Sequence, residues 1–95
     1  MTASVNDVHR ALVPFIASWR ELHERVRASF EELGRRHARV DPLWQDTMRK
    51  DYDKQWSELE ATMDRFVHHV APSLEEKLEQ TRREVERFLY GQGRI

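Results

Sequence analysis

Apolar residues recur at a strict interval of seven along the first forty positions of the chain. The main column consists of Val5, Leu12, Trp19, Val26, Leu33 and Val40, and a second column three residues behind it consists of Val8, Phe15 and Leu22. A seven-residue repeat places its members on one side of an α-helix, as in a coiled coil. The spacing therefore predicts an amphipathic packing helix over residues 4–39.

A second amphipathic pattern follows a short break at Asp41-Pro42. Its apolar residues repeat every three or four positions: Trp44, Met48, Tyr52, Trp56, Leu59, Met63, Phe66 and Val70. Aspartate is a favoured N-cap residue, and proline is tolerated at the first helical position because that position needs no backbone donor. The pattern predicts a second helix over residues 42–70.

Two other prolines bear on where the helices begin and end. Pro14 removes one backbone donor inside the heptad run, so we expect either a kink there or a helix that begins near Val13. Ala71-Pro72-Ser73 should break the second helix, because proline disfavours helical geometry at the residue before it. A third helical segment is predicted at 74–90. It either bends away along roughly the axis of helix two or folds back, and the lack of a glycine to reverse the chain favours a bend.

These patterns predict an all-α fold, an antiparallel helical hairpin in a single domain that spans residues 1–95. The facing stripes should be mostly buried, namely Leu12, Trp19, Val26, Leu33, Tyr52, Leu59, Met63 and Phe66. A hairpin of this size buries too little apolar surface to be stable alone. We therefore expect a four-helix bundle formed by dimerisation, as a homodimer or as a heterodimer with a similar small helical protein.

The composition argues against several other functions. With 16 basic and 17 acidic side chains the net charge is −1, so nothing draws the chain generally to nucleic acid. No apolar stretch approaches the roughly 20 residues that span a bilayer, and the N-terminus does not resemble a signal peptide. These features predict no membrane insertion and a cytoplasmic location; secretion without a cleavable signal peptide is the alternative.

No residue pattern points to catalysis, a cofactor or a metal. The chain lacks cysteine, a glycine-rich phosphate loop, an HExxH sequence and a nucleophile elbow. Glu60, Asp64 and His68 stand four residues apart, but such ladders usually form weak ion pairs on a solvated helix face. We therefore predict that the protein is not an enzyme and has no cofactor and no metal site.

Large aromatic residues are the better candidates for a functional surface. The predicted partner-binding residues are Trp19, Trp44, Met48, Tyr52 and Trp56. Most of their area should belong to the core, yet a hairpin core is shallow and some rings should reach a partner, where such rings supply much of the binding energy. Trp44, in the first turn of helix two, is expected to pack over the hairpin turn against Val40.

The residues after the turn also show a family resemblance. Trp44-Gln45-Asp46, followed by Tyr52 and Trp56 and then by Leu59, Met63 and Phe66, resembles the pattern of the WXG family of small helical-hairpin proteins that type VII secretion handles. Asp46 stands where that family usually has glycine. Tyr90 is followed four residues later by Arg94, where the family's export signal has an acidic residue. The resemblance implies a hairpin that works in pairs.

Two functions are compatible with these patterns. The first is a non-enzymatic protein–protein interaction module, a WXG-like adaptor or a type VII secretion-associated substrate that acts as a dimer within a secretion or other multiprotein assembly. The alternative is a cytoplasmic helical scaffold or regulatory subunit of a larger enzyme or complex. The two differ in whether the C-terminal segment is needed for export.

Overall fold

The computed structural model describes residues 4–91, which contain helices and turns and no strand. Helix α1 spans Val5–Val40 and is followed by a 3₁₀ turn at Asp41–Leu43. Helix α2 spans Arg49–Arg65, a π-helical turn occupies Phe66–Val70, and helix α3 spans Ala71–Gly91. The prediction of an all-helical chain is confirmed, and the long helices fit a helical hairpin.

Helix α1 begins with a reciprocal cap. The Ser4 N–H donates to the Asp7 carboxylate at 3.2 Å, and the Asp7 N–H donates to Ser4 Oγ at 3.1 Å. These two bonds satisfy donors that the first turn of a helix leaves without partners. Pro14 lies inside this helix, so the alternative of a helix that begins near Val13 is wrong.

The predicted start of the second helix at residue 42 is also wrong. Pro42 lies in the single 3₁₀ turn, and Trp44 follows with an extended backbone (φ −94°, ψ 114°). Helix α2 begins only at Arg49, and the Asp41 carboxylate accepts a hydrogen bond from the Arg49 guanidinium. Asp46 instead accepts the Met48 N–H at 2.9 Å, next to the actual start of the helix. Trp44 therefore lies in the turn and not in the first turn of helix two.

The predicted break at Ala71-Pro72-Ser73 is replaced by the π-helical turn. Pro72 has no N–H, and in an α-helix its ring would collide with the carbonyl of His68, four residues earlier. The backbone widens instead: the Ala71 N–H donates to the carbonyl of Phe66, five residues back. Helical conformation therefore continues from α2 through the π-helical turn into α3.

The chain divides into two compact units. Unit 1 combines residues 1–22 with 72–95, and unit 2 consists of residues 23–71. Within unit 1, α1 and α3 are antiparallel, because His9 bonds Glu86 while the later Arg20 bonds the earlier Glu75. Within unit 2 the two arms are also antiparallel. His37 bonds Tyr52, near the start of α2, while the earlier His23 bonds Val67, after the end of α2.

Few side chains are fully buried. Among the described residues these are Ile16, Val67 and Ala71. For six of the eight residues predicted to be mostly buried the prediction is confirmed, although none of them is fully buried: Leu12, Trp19, Val26, Tyr52, Met63 and Phe66. Leu33 and Leu59 are 43% and 41% exposed, so the prediction is wrong for these two. Two helices side by side cover only the seam between them, and residues a quarter-turn away stay open.

Candidate partner-binding surface

Five rings of unit 2 form a continuous stack that joins α1 to α2 and to the turn before α2. Their order is Trp44, Tyr52, His37, Trp56 and Phe30, and we call this set the aromatic ladder. Successive ring centroids are 4.5, 5.5, 4.1 and 6.5 Å apart. Aromatic pairs at such distances contribute about 0.5–1.5 kcal/mol each beyond the area they bury. The ladder is therefore a principal contact between the two arms of unit 2.

The centre of the ladder is a histidine. His37 lies nearly parallel to Trp56, with 10° between the ring planes, and at 26° to Tyr52. Its Nδ1 also shares a hydrogen bond of 2.5 Å with the Tyr52 hydroxyl. All three rings are half-buried. Stacking and hydrogen bonding together hold each ring in place and leave part of it open to solvent.

Arg49 organises the turn at the end of the ladder. Its guanidinium donates to the Trp44 carbonyl at 2.7 Å, to the Asp41 carbonyl at 2.5 Å and to the Asp41 carboxylate. The Nε donates to the Asp53 carboxylate at 3.2 Å. The Trp44 indole N–H donates to Asp46 at 2.6 Å. One rigid guanidinium thus satisfies two turn carbonyls, which fixes the backbone that carries Trp44.

The predicted partner-binding residues are distributed between the two units. Trp44, Tyr52 and Trp56 come together in the aromatic ladder, while Met48 is 66% exposed in the turn that precedes α2. Trp19 is half-buried in unit 1. The Trp44 ring packs against Tyr52, and its backbone N–H donates to the Val40 carbonyl at 3.2 Å. Trp44 therefore touches the end of α1 through its backbone.

Three residues of this surface, Phe30, His37 and Arg49, were not predicted from the sequence. Phe30 and His37 lie seven residues apart on α1, in the same column as His23. That spacing was a usable signal that all three face the second arm of unit 2, where His23 bonds Val67 of the π-helical turn. Arg49 carried a weaker signal, an acidic residue four positions later at Asp53. The bonds from Arg49 to the turn carbonyls depend on the geometry of the turn, which the spacing of residues in the sequence does not predict.

Apolar side chains remain open in both units. In unit 2 a shallow groove of about 310 Å³ lies beside the aromatic ladder, and its apolar lining consists of Val26, Phe30, Leu33, Leu59 and Met63. In unit 1 the exposed apolar residues with helical spacing form two stripes, Val8, Phe15 and Leu22 on α1 and Leu74 and Phe88 on α3. We call these five residues together the unit 1 stripes. Exposed apolar side chains that recur on one face of a helix are candidates for contact with a partner.

An ion-pair network links the two helices of unit 1. His9 bonds Glu86 at 3.0 Å, and Arg82 bonds both Glu86 and Glu79, at 2.9 and 2.7 Å. Arg20 reaches Glu79 from α1. The hydrogen bond from His9, together with Arg82, lowers the pKa of Glu86, and the hydrogen bond from Arg82 lowers the pKa of Glu79. Exposed pairs contribute little individually, so this network chiefly sets the pairing of the helices.

Within residues 4–91, no helix has the length and apolar character needed to cross a membrane. The same residues contain no group of three or more histidine, aspartate or glutamate side chains arranged to hold a metal ion. Comparisons of the chain with models of protein families, with curated proteins and with solved structures give no significant match.

Proposed function

We propose that this chain is a non-enzymatic protein–protein interaction module that works as a dimer, with itself or with a similar small helical protein. The observation that carries the proposal is that residues 4–91 contain three buried residues, while their apolar stripes stay exposed. Side chains with heptad spacing on two helices can pack against two further helices, which gives a four-helix bundle. Pairing would supply the core that the isolated hairpin lacks.

The energies are of the right order for reversible pairing. Fully burying a large apolar side chain is worth about 1.5–3 kcal/mol, so covering the exposed half of one yields about 1 kcal/mol. The unit 1 stripes supply five such side chains in each copy. Association costs at least about 4 kcal/mol in lost freedom of motion. Two copies together gain about 10 kcal/mol, so the surplus is at most about 6 kcal/mol. That surplus corresponds to a Kd of tens of micromolar or weaker and therefore to reversible pairing rather than to an obligate complex.

The resemblance to the WXG family makes this proposal more specific. Trp44-Gln45-Asp46 lies in the turn between α1 and α2, with the tryptophan stacked on Tyr52 and bonded to Asp46. We propose that the chain acts as an adaptor or as a substrate of type VII secretion, with this turn and the paired helices as its working parts. The residue at the family's export-signal position, Arg94, lies outside the described residues. Truncation after Gly91 and an export assay would test that part separately from pairing.

Sedimentation equilibrium over a concentration series that reaches several times the expected Kd, up to about 500 μM, tests the pairing. We expect the wild-type chain to dimerise and Phe15→Glu to be monomeric, because a charge then replaces an apolar ring in the α1 stripe. Val13→Glu is the matched control, since Val13 is similarly exposed on the same helix but lies about 160° around it from Phe15. A wild-type monomer that melts cooperatively, or equal loss of dimer in both variants, would refute the proposal.

A further inference from the structure

A shallow groove of about 520 Å³ lies along α3 in unit 1, away from the apolar stripe of that helix. The residues that matter for its chemistry are Gln80, Arg83, Glu86, Arg87 and Tyr90. The two arginines stand four residues apart and are both exposed, and Tyr90 is 62% exposed. The groove therefore presents two cationic groups one helical turn apart, next to an aromatic ring.

The positive charge of this groove is not neutralised from within. Neither Arg83 nor Arg87 makes a hydrogen bond or an ion pair within residues 4–91, although Arg83 acts at longer range on Glu79. The neighbouring Arg82, in contrast, bonds Glu79 and Glu86. Glu86, the acid that lines the groove, is already shared between Arg82 and His9. Two guanidinium groups thus remain available to a ligand.

We propose that this groove binds an acidic helix of a partner protein through Arg83 and Arg87. Side chains four residues apart on a helix have their Cβ atoms about 6 Å apart. Two carboxylates with the same spacing on a partner helix match that separation, and each can accept a bidentate pair of hydrogen bonds from one guanidinium. Tyr90 adds an apolar face, and its ring contacts His9 edge-on at 6.3 Å between centroids.

Other anionic ligands fit this groove less well. A single phosphate group is compact and is usually held by converging donors, such as backbone N–H groups at a helix N-terminus. Here the groove lies along the side of α3, and its two cations are a turn apart. An anionic membrane is typically bound by clusters of four to eight basic residues, about 1 kcal/mol each. Two arginines on a chain of net charge −1 fall short of that.

This inference goes beyond the pairing proposed above, because it uses different residues and does not require self-association. The probe is a fluorescently labelled alanine-rich helical peptide with glutamates four residues apart, and its control carries glutamine at the same positions. Fluorescence anisotropy with the full chain should show the glutamate peptide binding at least about tenfold more tightly, which corresponds to about 1.4 kcal/mol. Rising salt should weaken the binding.

Matched variants test whether the peptide binds in this groove. Replacing Arg83 and Arg87 by glutamine should lower the affinity for the glutamate peptide at least about tenfold. Replacing Arg39 and Arg65 by glutamine removes the same charge elsewhere and should leave binding unchanged. Circular dichroism melts should show that both double variants remain folded, since none of the four arginines makes an ion pair or hydrogen bond within residues 4–91.

Several results would overturn the inference. The first two are equal affinity for the glutamate and glutamine peptides, and equal loss of peptide affinity in both double variants. The other two are displacement of the peptide by inorganic phosphate at equal concentration, and tighter binding of the chain to phosphatidylserine vesicles than to the peptide. Sedimentation of the same arginine variants reports pairing independently. A dimer that does not bind the peptide would therefore count against the acidic-helix groove and not against the proposed function.

Discussion

At the scale of single residues, one hydrogen bond joins the two arms of unit 2 where the helix geometry changes. His23 Nε2 donates to the Val67 carbonyl at 2.9 Å, and Val67 lies within the π-helical turn. We predict that His23→Ala lowers the free energy of unfolding by about 1–2 kcal/mol, because it leaves a half-buried acceptor without a partner. Urea unfolding measures this. His23→Gln retains a donor and should lose less; equal losses would contradict the explanation.

A second prediction concerns Arg49, which bonds two turn carbonyls and two carboxylates. Arg49→Met keeps an apolar stem but removes every donor, and we expect it to cost about 2 kcal/mol of unfolding free energy. Arg49→Lys should recover only part of this loss, since an ammonium cannot reproduce the forked geometry. Chemical denaturation of both variants provides the test. Full stability of Arg49→Met would show that the turn does not depend on this residue.

Single residues were the hardest part of the structure to predict. The period of the apolar residues is enough to place Tyr52 and Trp56 on the inner side of α2. The apolar period alone does not include His37, because its ring is polar; only its distance of seven residues from Phe30 indicated that it faces inward. It also placed Trp44 in a helix, because the tryptophan continues the spacing of the residues that follow it.

At the scale of helices and turns, the π-helical turn explains an irregularity in the apolar pattern. The spacing from Leu59 to Val67 and from Met63 to Ala71 is eight residues, where a regular heptad has seven. The extra residue of a π-helical turn absorbs this difference and keeps all four side chains on the inner side. The sequence alone does not distinguish this arrangement, because Phe66 and Val70 continue the seven-residue spacing from Leu59 and Met63.

This explanation predicts where the helical segment tolerates a deletion. Removing exposed His69 in a Pro72→Ala background takes the extra residue out of the π-helical turn itself and shortens the spacing from Met63 to Ala71 to seven residues. A regular α-helix can then form while Leu59, Met63 and Ala71 keep their places, so the cost should stay below about 1 kcal/mol. Removing exposed Ala61 in the same background rotates Met63 and Val67 by about 100° away from α1 and should cost about 2 kcal/mol or more. Thermal melts followed by circular dichroism compare the two deletions. Equal costs would contradict the argument.

At the scale of the whole molecule, the repeat of seven was sufficient to predict an all-helical chain with a first helix close to Val5–Val40. Burial was predicted less well. A facing stripe was assumed to be a core, but in each unit only two helical segments meet. Leu33 and Leu59 thus lie on the predicted face of their helices but remain substantially exposed. Periodicity gives the direction of a side chain, while the number of layers around it decides how far it is buried.

The charge pattern predicts how the chain responds to acid. Hydrogen bonds from arginine lower the pKa of Glu24, Glu32 and Glu79 below 4.5, and the bond from His9 does the same for Glu86. Because each folded-state pKa is lower than the unfolded value, these carboxylates stabilise the fold above pH 4.5. That contribution disappears as the pH falls below 4.5 and through the folded-state values.

Urea unfolding between pH 6 and pH 3 should therefore show stability falling below about pH 4.5. Glu79→Gln should have a shallower pH dependence than the wild type, because one of the linked groups is gone. Glu58→Gln is the matched control, since the Glu58 carboxylate forms no ion pair and accepts no hydrogen bond within residues 4–91. Parallel curves for the wild type and Glu79→Gln would show that the ion-pair network does not set the acid response.

The π-helical turn also has an evolutionary consequence. A change of length by one residue within a helix rotates all later side chains by about 100°, which two packed helices cannot usually repair. Here one extra residue has been accommodated at Phe66–Val70, and Pro72 helps to hold it there. Among descendants of a common ancestral gene, single-residue length differences between Arg49 and Gly91 should therefore concentrate in this turn, and sequences that are one residue shorter there should be free to replace the proline.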